Sequence, residues 1–277
     1  MINELGYVIL GIFAVNGLVT YQGFQNNVFF EKYLFQVNKI LGEKDYFRLF
    51  SSGFLHGSWM HFAFNMYTLY FFSLFVRNNL GDTSLLFVYL ISLLGGNILS
   101  LAMHRKHLHY RAVGASGAVN GLIFSAIALD PNITLGIFGI IPVPGWAFAL
   151  GYTLYTIYGI KSQKDNIGHE AHLGGGIIGL LATILLKPAV LDTSLFPIAI
   201  TLIPSLGFLA YFLFKSLNIR STKPSIKKGV ETIDDRYNQK RIDNQKELNY
   251  LLEKISQTGI SSLSQYEQSR LDELSKK

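Results

Sequence analysis

Residues 114–129 read GASGAVNGLIFSAIAL: a small polar opening, Gly114-Ala115-Ser116-Gly117, and then an apolar stretch without a single charge. The run 116–129 is the shortest of seven such stretches, at about 5–21, 54–76, 84–103, 116–129, 146–160, 171–186 and 195–214. A bilayer core takes roughly 20 apolar residues of helix, with a range of about 17–25, so the series predicts membrane spans. Composition agrees: 49% of the residues are hydrophobic, 15% are charged, and the mean hydropathy is +0.29. The expected fold class is all-α, a polytopic membrane helical bundle. With no cysteine in the chain, disulfides, a thiolate nucleophile and a cysteine metal site are excluded.

Outward from that series, the first run does not read as a cleavable signal peptide, because residues 1–6 carry Glu4 and no Lys or Arg. Residues 22–53 are too polar to cross, yet hold Phe29, Phe30, Tyr33, Leu34, Phe35 and Tyr46, as a loop lying in the membrane interface would. Pro197 and Pro204 predict a kink in the seventh run. Residues 221–229, with Pro224 and Gly229, read as a linker. Beyond it, Leu248, Leu251, Leu252 and Ile255 recur at helical spacing, and Ser264 with Glu267 forms a capping box ahead of Leu271 and Leu274. Two short amphipathic helices joined at Gly259 are expected, either a solvated appendage or a hairpin on which a partner docks. The net charge of +6 is no nucleic-acid signal. In the tail Lys223, Lys227, Lys228, Lys240, Arg241 and Lys246 alternate with Glu231, Asp234, Asp235, Asp243 and Glu247, as on a solvated surface rather than a basic groove.

A hydrogen-bonding side chain inside a span is costly unless paired, so polar residues in these runs carry the functional signal. His61 and Asn65 stand four apart, on one helix face. Ser116 opens the fourth run and Glu170-Ala171-His172-Leu173-Gly174-Gly175-Gly176 opens the sixth. Taken singly, Ser116 is an ordinary packing serine, His172 an interfacial histidine, and His61 or Asn65 an interhelical hydrogen bond. Together they supply a hydroxyl, an imidazole and two further polar groups from separate spans, the inventory that acyl transfer needs.

These residues resemble the rhomboid intramembrane proteases, whose motifs stand here as Gly114-Ala115-Ser116-Gly117, Ala171-His172-Leu173-Gly174-Gly175 and His61-Phe62-Ala63-Phe64-Asn65, in the family's order. Phe47-Arg48-Leu49-Phe50-Ser51 is similar to the family's aromatic-Arg motif in the first loop. The resemblance covers about residues 48–179. It implies a six-span core over 1–190, an additional span over 191–216 and a tail over 217–277. It also implies a Ser116–His172 dyad without a carboxylate, an oxyanion hole from Asn65, His61 and the main chain at Ser116, no cofactor or metal, and transmembrane proteins as substrates. Gly114, Gly117 and Gly175 are supporting positions, and His56 falls where the family often has a histidine. Where the family often carries an aromatic residue, one turn after the serine, this chain has Asn120; the departure predicts a hydrogen bond from Asn120 to His172 in place of ring stacking.

Serine is a poor nucleophile until a base takes its proton, so His172 must reach Ser116 across a helix interface. Gly117 with Gly121 and Gly175 with Gly179 repeat a four-residue spacing that lets two backbones pack closely. Ser116 in the first turn of its helix lies beside unpaired amides and the positive dipole end. The expected setting is multi-pass in a bacterial cytoplasmic membrane. Orientation divides the signals: the family turns its active site outward, whereas Arg48, Arg105, Lys106, Arg111, Lys161 and Lys164 on that side would place it in the cytoplasm. Two other classes compete, an inactive relative that binds membrane clients, and a seven-helix transporter.

Overall fold

The computed structural model describes residues 2–130, 132–137, 141–163, 165, 167–218, 244, 247–257 and 259–275, in two units divided near residue 226. The expected linker 221–229 and the tail charges from Lys223 to Lys246 lie outside the described residues.

Every apolar run is a helix in the first unit. They are α1 (Ile2–Gln25), α5 (Trp59–Leu80), α6 (Asp82–His104), α7 (Ser116–Leu129), α8 (Gly145–Ser162), α9 (His169–Leu186) and α10 (Val190–Asn218). Among the described residues, four stretches are long and apolar enough by composition alone to cross a membrane: Gly6–Gln25, Asp82–His104, His169–Leu186 and Val190–Lys215. The chain is a multi-pass integral membrane protein with the expected helical bundle fold.

Some boundaries differ from those read from the sequence. Helix α5 begins at Trp59 rather than 54, because Ser58 caps it, its hydroxyl accepting from the His61 amide at 3.1 Å. Helix α10 starts early, at Val190, and breaks at Ser194, three residues before Pro197, whose ring and missing N–H disturb the preceding turn. The chain breaks again at Gly6, at φ +71°.

The first loop is more ordered than an interfacial tether. It folds into α2 (Asn27–Tyr33), α3 (Val37–Gly42) and α4 (Arg48–Ser51), and β1 (Phe35–Gln36) pairs antiparallel with β2 (Arg111–Ala112). Buried Arg48 organises it: one terminal nitrogen donates to the carbonyls of Glu31 (2.9 Å) and Leu34 (2.8 Å), and Nε to Asp45 (2.8 Å). Glu31 also pairs with Arg111, tying the loop to the segment that leads into α7. A second ribbon, β3 (Thr134–Ile137) with β4 (Ile141–Pro144), connects α7 to α8.

Helix α7 is the inner element, packed on both α6 and α9, with every residue from Gly117 to Ala128 buried. That explains a run apolar all round and also its brevity. Its 14 residues rise about 21 Å against a hydrocarbon core of about 30 Å. Ser116 opens this short helix.

The second unit is a hairpin of α11 (247–257) and α12 (Gln265–Ser275), with Gly259 at φ +81° and a 3-10 turn, Ile260–Ser262, between them. The capping box forms: the Ser264 amide donates to Glu267 (2.8 Å) and the Glu267 amide to the Ser264 hydroxyl (3.3 Å). Lys254 bonds Glu267 at 2.7 Å, and Arg270 grips Glu247 through two nitrogens, at 3.1 and 2.6 Å. Lys254 first, then the cap, pulls the Glu267 carboxyl down to about 2.

Candidate active site

Ser116 is the first residue of α7, and Gly114 just before it stands at φ +133°, where only glycine sits without strain. A Cβ there would fall 2.7 and 2.8 Å from Cε1 and Nε2 of His61, and 3.7 Å from Ser116 Oγ. The missing side chain therefore lets the His61 ring and the Ser116 hydroxyl share one recess. The Gly114 amide donates to the Ser52 carbonyl at 3.0 Å, and Ser52 Oγ accepts from Asn97 at 3.2 Å, which anchors this approach to α6.

Across the α7–α9 interface the glycine faces meet. A Cβ on Gly175 would overlap the Gly117 carbonyl, and one on Gly179 would overlap the Gly121 backbone. A Cβ on Gly117 would meet the Ala171 carbonyl at 3.2 Å. Backbone contact thus joins the neighbour of Ser116 to the neighbour of His172. Gly96 of α6 adds to it, since a Cβ there would lie 2.5 Å from the same Ala171 carbonyl.

Asn65 is buried one turn below His61, and its Nδ2 donates to the His61 carbonyl at 3.0 Å. That uses one of its two amide hydrogens. His56 is fully buried, its Nδ1 2.8 Å from the Thr20 hydroxyl, which donates its own proton to the Phe54 carbonyl at 3.1 Å. Thr20 can then only accept, so the His56 proton is on Nδ1; its ring meets that of His61 edge-on, 5.1 Å between centroids.

The expected bond from Asn120 to His172 is not made. Asn120 Nδ2 donates back to the Ser116 carbonyl at 2.8 Å, as a short polar side chain inside a helix readily does, and its Oδ1 is buried without a hydrogen-bond partner. The residue on His172 is Tyr152 of α8, with its hydroxyl 3.0 Å from Nδ1. Sequence reasoning missed it; a tyrosine inside the apolar run 146–160 was the available signal.

It missed the support of α9 as well. Glu170, two residues before His172, lies with Oε1 3.0 Å from His104 Nε2, both side chains 7% exposed. His104 stacks on Tyr110, centroids 3.5 Å apart and planes 7° off parallel. Replacing Glu170 with Ala removes the carboxylate that lies against the buried imidazole. About 1–3 kcal/mol of stability is expected to be lost, read as a lower midpoint of thermal unfolding in detergent micelles.

Residues 43–189 match the Rhomboid domain family, and residues 231–277 match a family of unknown function (DUF6576). The chain is 31% identical over 169 residues to RHOMBOID-like protein 12, mitochondrial, of Arabidopsis thaliana, an alignment covering 53% of this chain and 50% of that protein. It is 30% identical over 189 residues to Rhomboid protein 1, mitochondrial, of Saccharomyces cerevisiae, covering 65% and 52%. With the human Presenilin-associated rhomboid-like protein, mitochondrial, identity is 32% over 135 residues, covering 47% and 35%. The chain thus spans about half the length of the first two relatives.

Proposed function

The chain belongs to the rhomboid family, and on that premise we propose that it is an intramembrane serine endopeptidase that cuts transmembrane segments of other proteins. Ser116 is the nucleophile and His172 its general base. The oxyanion forms against Asn65, His61 and the Ser116 amide. Residues 1–190 make the catalytic core, 191–216 an added span and 217–277 a separate tail. The host membrane is taken to be the cytoplasmic membrane of a bacterium, with an organelle membrane, as in the relatives' names, the competing placement; cell fractionation separates the two.

The observation that carries this reading is the paired backbone contact of Gly117 with Ala171 and Gly175, beside the space at Gly114 that the His61 ring and Ser116 Oγ both border. Attack on a substrate carbonyl sends the Ser116 proton to His172 Nε2, and that proton then goes to the departing amine nitrogen. Water for deacylation enters the recess left by the short α7. The alternative is a catalytically inactive family member that binds membrane clients. That reading gives no reason for a serine and a histidine to flank the backbone contact of Gly117 with Ala171.

The test is cleavage of tagged single-span substrates by the purified chain in liposomes, compared with Ser116→Ala and His172→Ala. Cleavage that survives both substitutions refutes the dyad. Binding without any cleavage by wild type across the panel favours the inactive reading. For the oxyanion site, Asn65→Ala is expected to lower kcat about 100- to 1000-fold with KM little changed, because its free amide hydrogen is needed only when charge builds on the carbonyl oxygen. Steady-state kinetics on the same substrates measure it.

A further inference from the structure

A serine–histidine pair without a carboxylate leaves open what holds the imidazole in the productive tautomer. We infer that Tyr152 is the positioning residue for His172, its phenolic oxygen accepting the Nδ1–H so that the Nε2 lone pair faces Ser116. The inference rests on the dyad reading above and deepens it.

A tyrosine hydroxyl carries one proton, so the direction of its bond decides the tautomer of its partner. Were Tyr152 to donate to Nδ1, the hydrogen of neutral His172 would sit on Nε2, which could not then act as a base. Only the other direction serves the dyad: with the hydrogen on Nδ1 it points at the phenolic oxygen 3.0 Å away, and the Nε2 lone pair is left to take the Ser116 proton.

The rings agree with this assignment. The planes of Tyr152 and His172 lie 23° apart with centroids separated by 6.3 Å, too far for a face-to-face stack but suited to a hydrogen bond in the imidazole plane. Tyr152 is itself held, stacked on Phe148 at 5.5 Å and 9°, with Phe124 at 6.3 Å on α7. Tyr152 thus ties α8 to His172 of α9 while its ring packs beside Phe124 of α7. During attack His172 gains the Ser116 proton on Nε2 and passes it to the leaving nitrogen. Tyr152 keeps its own proton and holds Nδ1–H throughout.

The test uses the full chain in liposomes with a tagged single-span substrate. Tyr152→Phe keeps the ring packing and removes only the oxygen. It is expected to lower kcat about 10- to 100-fold while KM and the unfolding midpoint stay at their wild-type values. Nitrogen-15 resonances of labelled histidine, with His172 assigned by its loss in His172→Gln, are expected to show Nδ1 protonated in the wild type and mixed tautomers in Tyr152→Phe. The wild-type spectrum tests the inference even where a variant fails to fold. A Tyr152→Phe enzyme as fast as wild type or faster overturns it while leaving the dyad intact, and a wild-type His172 protonated on Nε2 overturns it together with the base role of that nitrogen. Wild-type cleavage unaffected by Ser116→Ala overturns the dyad and this inference with it.

Discussion

Ser116→Ala and His172→Ala are each expected to lower kcat by about 10,000-fold or more, and the double variant is expected to be no worse than either one alone. The non-additivity is the informative part. A base without its nucleophile has nothing to activate, and a hydroxyl without its base stays protonated, so the second loss removes nothing that still works. Ser116→Ala deletes one oxygen at the mouth of a recess rather than in the packed core. The variant should therefore unfold at the wild-type midpoint while losing cleavage. A drop in midpoint that tracked the lost activity would point to a packing serine instead. Substrate affinity, read by crosslinking a single-span substrate to the inactive variant, is expected to persist, because the bilayer-facing surfaces are untouched.

The second large effect concerns Gly175. A Cβ at this position overlaps the carbonyl oxygen of Gly117, with its carbonyl carbon at 2.7 Å and Cα at 3.0 Å. Backbone cannot swing aside as a side chain can, so Gly175→Ala must push α9 away from α7 along its first two turns. Overpacking of this kind costs about 1–3 kcal/mol. The same displacement carries Ala171 and His172 away from Ser116, and a misplacement of about 1 Å is enough to cost about 100-fold in rate. Gly175→Ala is thus expected to lower both the unfolding midpoint and kcat, and Gly175→Val to do so more severely. Gly151, on α8 with nothing within 4 Å of its Cβ position, is the control. There Ala should leave activity intact and stabilise slightly, through better helix propensity. Parallel melting curves and cleavage assays on the variants separate the two outcomes.

Much of this molecule can be read along its sequence because a bilayer constrains it so tightly. Seven apolar runs become helices, and the paired glycines on α7 and α9 meet because their spacing leaves no side chain between the backbones. What stays hidden depends on contacts between residues far apart. Nothing local to Arg48 shows that its guanidinium will gather the carbonyls of Glu31 and Leu34 and turn an interfacial loop into three short helices. The ribbon β3–β4 is masked by Pro142 and Pro144, which read as breakers yet are tolerated in a two-stranded ribbon. Asn120 stands out in the sequence, but the group its amide donates to is the carbonyl one turn back. The group on His172 comes from α8, 20 residues away in sequence. Glu170 and His104 lie 66 residues apart, and only the packing of α6 on α9 brings them to 3.0 Å.

The most direct test of the central claim is covalent labelling of the purified chain, in a bilayer, by a serine-reactive fluorophosphonate, with the modified residue located by peptide mass spectrometry. The account predicts a single label on Ser116 that is lost in Ser116→Ala and strongly slowed in His172→Ala. Equal labelling of wild type and Ser116→Ala, or labelling whose rate ignores His172, would contradict it.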